Sequence, residues 1–232
     1  MGHAGTLDPF ATGVLLVLVG RATRAQRWLM GLPKTYRAVA RLGWASDTGD
    51  RDGELVETGR VPASLDIPVG PLMQAPPAFS AVRVDGQRAY ARARRGEDVA
   101  PAARPVTVHR AELCWHDADR ACFELEVSSG TYVRSLIADL GDAYCEELER
   151  TAVGDFRVED ADPDRTIPLE EALAFLPERA VSAAEAGDVR HGRQLEGAAE
   201  HEAVRLTHGE KLLAIGVPDS GRVRTAVVFD PG

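Results

Sequence analysis

Lysine is almost missing from this chain. Of its 27 Lys and Arg residues only Lys34 and Lys211 are lysine, a bias that genomic base composition can produce and that points to no function by itself. Cysteine is scarce too: Cys114, Cys122 and Cys145 are odd in number and show no C-x-x-C spacing. That implies neither a disulfide framework nor a zinc site, and makes a reducing cytoplasm the expected compartment. Long apolar runs are absent, the longest being Val14 to Val19, well short of the ~18 residues of a membrane span. No basic leader with an apolar core opens the chain, so no secretory signal is read. Gly2 to Thr6 fits a myristoylation pattern but lacks a polybasic patch or second acylation site to support it. P-loop, G-x-G-x-x-G and H-E-x-x-H patterns, internal repeats and low-complexity tracts are all missing. The acidic stretch Asp47 to Glu54 is not a calcium loop, because Thr48 stands where the first Asp is needed and Gly59 where the closing Glu belongs. No metal or cofactor is therefore expected.

What remains is an ordinary globular composition, 44% hydrophobic and 27% charged over 232 residues, enough for one large domain or one with a small appendage. Net charge is −9, at first sight unfavourable for a polyanionic partner. The charge is segregated, however: residues 1–115 carry 15 Lys or Arg against 11 Asp or Glu, and residues 116–232 carry 12 against 25. Phosphate contacts are local and screened beyond about a Debye length, so the distribution matters more than the total.

Along the chain, Val14 to Val19 reads as a buried strand and Arg21 to Met30 as a short helix. Lys34 to Gly43 alternates Tyr36, Ala38, Ala40 and Leu42 with mostly polar neighbours, the pattern of a half-buried strand. After Pro76-Pro77, Ala78 to Val84 reads as a strand closing in an Asp85-Gly86 turn. Gln87 to Arg95 reads as a helix crowded by Arg88, Arg92, Arg94 and Arg95, with Tyr90 among them. Such a run is more often a solvated face, but it also suits phosphate tracking. Val106 to Trp115 and Ala121 to Val127 form a hairpin across residues 116–120, with Cys114 and Cys122 as packing residues flanking its turn. Ser128 to Gly141 is a strand-to-helix junction that places Arg134 in the first helical turn. A cation there opposes the helix dipole, which calls for an acidic partner. Glu159 to Arg165 reads as a linker, and Pro168 to Leu176 and Val181 to His191 as helices. Ala203 to Leu206, Lys211 to Val217 and Val223 to Phe229 read as the strands of a small β-domain.

Two stretches carry candidate chemistry. Gly2-His3-Ala4-Gly5-Thr6-Leu7-Asp8-Pro9 frames one carboxylate, Asp8, with glycines, which by itself reads more readily as a turn than as a reactive site. Together with Ala11 and Gly13 it resembles the catalytic motif of the TruB family of tRNA pseudouridine synthases. Lys34-Thr35-Tyr36-Arg37-Ala38 and Ser129-Gly130-Thr131-Tyr132-Val133-Arg134-Ser135-Leu136 resemble the family's other two active-site motifs, in the same order. Pro76 to Gly86 is similar to its Pro-Pro-x-x-Ser-Ala segment.

The resemblance implies an α+β fold, pseudouridine synthase-like, with a mixed, mostly antiparallel sheet flanked by helices and a small β-rich C-terminal domain. It divides the chain into a catalytic domain, 1–178, and a C-terminal RNA-binding domain, 179–232. It implies isomerisation of a T-loop uridine of tRNA, position 55 by tRNA convention, without cofactor or metal, by a cytoplasmic monomer that meets no membrane. Asp8 would be the nucleophile, on the ribose or on the pyrimidine ring. Arg134 would hold Asp8 ionised, and Tyr36 would stack on the flipped uracil and later take the proton from its C5. His3 would contact the RNA and fill the vacated space. Gly5, Thr6, Leu7 and Tyr132 would line the substrate site, Leu148 the base pocket, and Arg88, Arg92 and Arg95 the tRNA backbone. Ala143 to Gly154 corresponds to a family loop, here shorter, with Glu149 at a position usually basic. The family also carries an upstream strand and helix opening with Lys-Pro-x-Gly, which this sequence does not show. The alternatives are accordingly an inactive tRNA-binding or tRNA-folding protein, or a related synthase acting on another RNA.

Overall fold

The computed structural model describes residues 1–80, 82–84, 86–89, 92, 95, 97, 101–197 and 200–230. Two compact units emerge. One comprises Gly5–Leu16 and Met30–Ala161, the other Met1–Ala4, Val17–Leu29 and Asp162–Gly232.

The first unit is built on a seven-stranded sheet. Its strands are β1 (Thr12–Gly13), β2 (Lys34–Leu42), β3 (Gly70–Gln74), β4 (Arg104–His116), β5 (Arg120–Val127), β6 (Ala143–Val153) and β7 (Phe156–Arg157). The order is β7-β6-β2-β5-β4-β3, with β1 pairing in parallel to β6 and every other pairing antiparallel. The alternation expected for β2 is realised. Ala38, Ala40 and Leu42 are buried, and the register sets Ala121, Phe123 and Leu125 of β5 opposite Ala40, Ala38 and Tyr36. These side chains share one face of the sheet with Leu136 and Ile137 of a helix, Val133–Ala138, forming the main core. Burying a side chain such as Phe123 or Leu125 contributes about 1.5–3 kcal/mol.

Four expectations need correction. Ala143 to Gly154 is not a loop: β6 runs through the sheet beside β2. The run Val14 to Val19 is not a buried strand. Val14 and Leu18 are buried while Leu15, Val17 and Val19 are exposed, and only Val17–Leu18 is extended, paired with Gly2–His3. Among the described residues of the strand expected over 78–84, only Arg83–Val84 is extended, residues 78–80 forming a bend. Gln87 does not begin a helix, because Gln87–Arg88 pairs as a strand with Arg83–Val84. Ala89 and Arg92 are helical, and Tyr90 and Arg94 lie outside the described residues.

Helical structure is otherwise sparse. The helix expected over 21–30 is present as a 3-10 segment, Gly20–Ala25, followed by α1 (Gln26–Gly31). The Val133–Ala138 helix is α2, and α3 (Leu169–Ala172) and α4 (Ala183–Arg190) follow. In the second unit a five-stranded sheet contains β8 (Glu178–Ala180), β9 (Leu195–Glu196), β10 (Val204–His208), β11 (Lys211–Asp219) and β12 (Arg222–Val228), in the order β8-β10-β11-β12-β9. Ser182 and Glu185 form a reciprocal capping box that starts α4. Ala186 and Val189 of that helix pack with Leu206, Leu213 and Val223. Arg21 and Arg24 donate to the carbonyls of Phe229 and Val228 at 2.6 and 2.8 Å.

Candidate active site

Asp8 sits in the turn between Gly5 and β1, where the Ala11 amide closes back on the Asp8 carbonyl at 3.0 Å. Its partner comes from α2. Arg134, 3% exposed, donates from Nε to Asp8 Oδ2 at 2.9 Å and from Nη2 to Asp8 Oδ1 at 3.2 Å, a two-pronged pairing. The remaining N–H groups reach the carbonyls of Thr48 (2.8 Å) and Phe79 (3.0 Å) and Asp50 Oδ2 (2.9 Å). All five guanidinium donors are thus satisfied, and two carboxylates offset the unfavourable dipole at the start of α2. Asp50 is itself buried, and its other oxygen accepts from the Thr48 hydroxyl at 2.7 Å and the Asp52 amide at 3.0 Å.

One cation shared between two carboxylates leaves this cluster negative. Burial pushes the Asp8 carboxyl above its ordinary range; Arg134 pulls it back without overcoming that, and the Asp50 charge adds to the rise.

Tyr36 stands beside the pair. Burial raises its phenol, the Arg150 guanidinium opposes this, and the negative charge of Asp8 adds to it. Arg150 lies directly across the β2–β6 pairing from Tyr36. It is 1% exposed and donates to the carbonyls of Val14 (2.8 Å), Gly5 (3.2 Å) and Thr6 (3.5 Å), so it holds both ends of the Asp8 turn. Gly13 has to be glycine here. Its φ is +107°, and a Cβ would stand 2.2 Å from the Arg150 carbonyl oxygen.

The other expected residues are distributed as follows. Leu148 is buried in the core and lines a cleft of about 450 Å³ with Phe10, Thr12, Arg37 and Arg51. Tyr132 precedes α2, with its amide and carbonyl both engaged by the buried Gln74 side chain at 2.7 and 3.0 Å and its ring under Arg104. Gly5 and Thr6 present carbonyls to Arg150, and Leu7 lies between them and Asp8. Arg92 and Arg95 are held by Glu97 at 2.6 and 2.7 Å, and Arg88 lies in the short ribbon. His3 is exposed and falls in the second unit, its carbonyl accepting from Gln26.

Sequence reading missed Asp50, Gln74 and Arg150. Each is a polar side chain at most 6% exposed. Only Arg134's need for acid pointed toward any of them.

Residues 1–133 match the family profile described as TruB family pseudouridylate synthase, N-terminal domain. The tRNA pseudouridine synthase B of Arthrobacter sp. (strain FB24) is 37% identical over 259 residues, spanning 100% of this chain and 84% of that protein. The tRNA pseudouridine synthase B of Thermobifida fusca (strain YX) is 40% identical over 259 residues, spanning 99% and 88%. Among solved structures, an H/ACA RNP bound to a substrate RNA containing 2'-deoxyuridine superposes with a TM-score of 0.69 at 23% identity, covering 99% of this chain and 76% of that chain. A Cbf5-Nop10-Gar1 complex gives the same TM-score and coverage. Both share the fold.

Proposed function

Because the chain belongs to the TruB family of pseudouridylate synthases, we propose that it converts the T-arm uridine at position 55 of tRNA to pseudouridine with Asp8 as nucleophile. The observation that carries this reading is the Asp8–Arg134–Asp50 cluster with Tyr36 beside it. Binding of a polyanion needs no such arrangement, whereas covalent catalysis by a carboxylate does: the nucleophile must be held, aimed and kept partly ionised against burial.

The reaction breaks the glycosidic C–N bond, turns the uracil and joins its C5 to the same sugar carbon. It is redox-neutral and transfers no external group, so side chains suffice. Asp8 attacks the ribose or the pyrimidine ring while Arg134 fixes both carboxylate oxygens. Reaching a uridine inside a folded loop requires flipping it out, at a few kcal/mol that pocket contacts offset. Tyr36 stacks on the extruded base and Leu148 bounds its pocket. In this reading Gly5, Thr6, Leu7 and Tyr132 line the substrate site, and His3 contacts the RNA. Arg88, Arg92 and Arg95 track the backbone, with Glu97 holding the last two until phosphate competes for them. The β-rich segment from about residue 179 acts as an accessory RNA-binding domain. The enzyme works as a monomer alongside its tRNA in the cytoplasm; among the described residues no helix is long and apolar enough to cross a membrane.

The test is Asp8→Asn, assayed for pseudouridine in a T-arm transcript and for tRNA binding. Turnover is expected to vanish with affinity nearly unchanged. Turnover that persists removes Asp8 from the nucleophile's role.

A further inference from the structure

The first unit buries two cations that no carboxylate faces among the described residues. Arg150 is 1% exposed and Lys34 4%. Their acceptors are main-chain carbonyls: Val14, Gly5 and Thr6 for the guanidinium, and Met30 and Leu32 for the amine. Interior charge of this kind costs several kcal/mol in desolvation, and apolar replacements are often as stable or more so. The two groups are close enough to repel, and Lys34 yields: burial and Arg150 together bring its amine down to about 8. Arg150 therefore remains the fixed positive charge.

What it faces is the candidate chemistry. Arg150 and Tyr36 are cross-strand partners on β6 and β2, and on the same sheet face Leu148 sits opposite Ala38. Paired residues of this kind have Cβ atoms about 4.5–5.5 Å apart. From the turn that Arg150 anchors, Asp8 presents a carboxylate near the same phenol. The register partner from β5 is the uncharged Leu125, and Lys34 lies two residues earlier on Tyr36's own strand.

We propose that Arg150 is a positioning residue of the isomerisation, fixing the main chain that carries Asp8 and supplying positive charge at the Tyr36 hydroxyl, where the C5 proton of the re-attached uracil is taken up. This rests on the synthase reading. After the C–C bond forms, C5 is tetrahedral and still carries hydrogen. The C5–H electron pair becomes the C5–C6 double bond, the electrons of the N1–C6 double bond move onto N1, and N1 takes a proton from water. The C5 proton goes to the Tyr36 oxygen, whose own proton has left beforehand, and the hydroxide produced at N1 regenerates the phenolate. Arg150 favours that phenolate, and Asp8 disfavours it.

The test separates this role from a merely structural one. Tyr36 ionisation is followed by ultraviolet difference titration of the whole chain without RNA, with the Tyr36→Phe titration subtracted. An opposite charge at this range moves a pKa by roughly one to three units. Arg150→Gln should therefore raise the Tyr36 midpoint by about one unit or more, and Arg150→Lys should restore most of the difference. Single-turnover rates on a T-arm transcript should show the rising alkaline limb displaced upward in Arg150→Gln by the same amount. A Tyr36 midpoint unmoved in Arg150→Gln, or a rate loss equal at every pH, overturns the proposal. If Arg150→Gln fails to fold, Arg150→Met decides: it removes the charge while keeping apolar volume, a rise of the Tyr36 midpoint is expected, and an unmoved midpoint overturns the proposal. Absence of pseudouridine from the unaltered chain overturns the synthase reading and this one with it. Pseudouridine formation with an unmoved Tyr36 midpoint overturns this one alone.

Discussion

Replacing Asp50 by Asn tests whether the second carboxylate on Arg134 belongs to the machinery. Asp50 is 6% exposed and accepts from Arg134 at 2.9 Å, from the Thr48 hydroxyl at 2.7 Å and from the Asp52 amide at 3.0 Å. Asparagine fills the same volume and can keep the Thr48 and Asp52 contacts through its one oxygen. Its NH2 group then faces the Arg134 guanidinium, donor against donor. The loss is one charge-assisted hydrogen bond, about 1.5–3 kcal/mol, below the ~3–5 kcal/mol of leaving a buried charge unpaired, because Asp8 still neutralises Arg134. The expected outcome is a fall in unfolding free energy of about 2 kcal/mol with an unchanged urea m-value. If the same misalignment is felt in the transition state, single-turnover rate drops roughly 30-fold. Removing the Asp50 charge also lets the Asp8 carboxyl fall, since Asp50 helps to raise it. Any acid limb of the rate profile should then move to lower pH. A variant with the original urea midpoint and a rate within about twofold would refute the argument that Asp50 holds Arg134 in place.

Two further outcomes follow from buried geometry. Gly13→Ala puts a Cβ 2.2 Å from a main-chain oxygen at φ +107°, and should cost about 3 kcal/mol or more. Gly20→Ala, at φ +59° with nothing within 4 Å, should cost only about 1 kcal/mol; equal urea midpoints would contradict this contrast. Lys34 has its folded amine lowered from 10.5 to about 8, so between these pH values the unfolded chain binds more protons and stability rises with pH. Subtracting Lys34→Met from the parent should isolate a gain of up to about 3 kcal/mol between pH 8 and 10.5, with no slope below 8; parallel stability curves would refute it.

How much of this could be read from the chain depended on whether a residue's role was local. The hairpin β4–β5 and strand β2 were legible because their alternation and turn residues are local and the fold leaves them intact. Strand β6 was not. Bulges between Cys145 and Glu147 and between Arg150 and Ala152 shift its register twice, so the period-2 signal in Tyr144 to Ala152 is broken where it would have been diagnostic. With β6 taken for a loop, nothing in the sequence set Arg150 apart from its neighbours. The apolar run 14–19 misled in the opposite sense, its composition promising burial that Leu15, Val17 and Val19 do not have.

Arg134 shows how far such reading can be pushed. Its place against the dipole of α2 demanded acid, and the resemblance supplied Asp8 as that acid. A buried guanidinium, however, has five donors, and one carboxylate gripped from two sides satisfies only two of them. Counting donors would have required three more acceptors, drawn from segments able to approach a helix start closely. Thr48-Gly49-Asp50 is such a segment, with Gly49 at φ +74° and its absent Cβ facing Arg134 Cβ at 3.5 Å. It supplies two of the three acceptors, a carbonyl and a carboxylate, and Phe79 supplies the third. The acidic stretch that failed as a calcium loop is therefore accounted for by the demand of a cation 84 residues further along the chain.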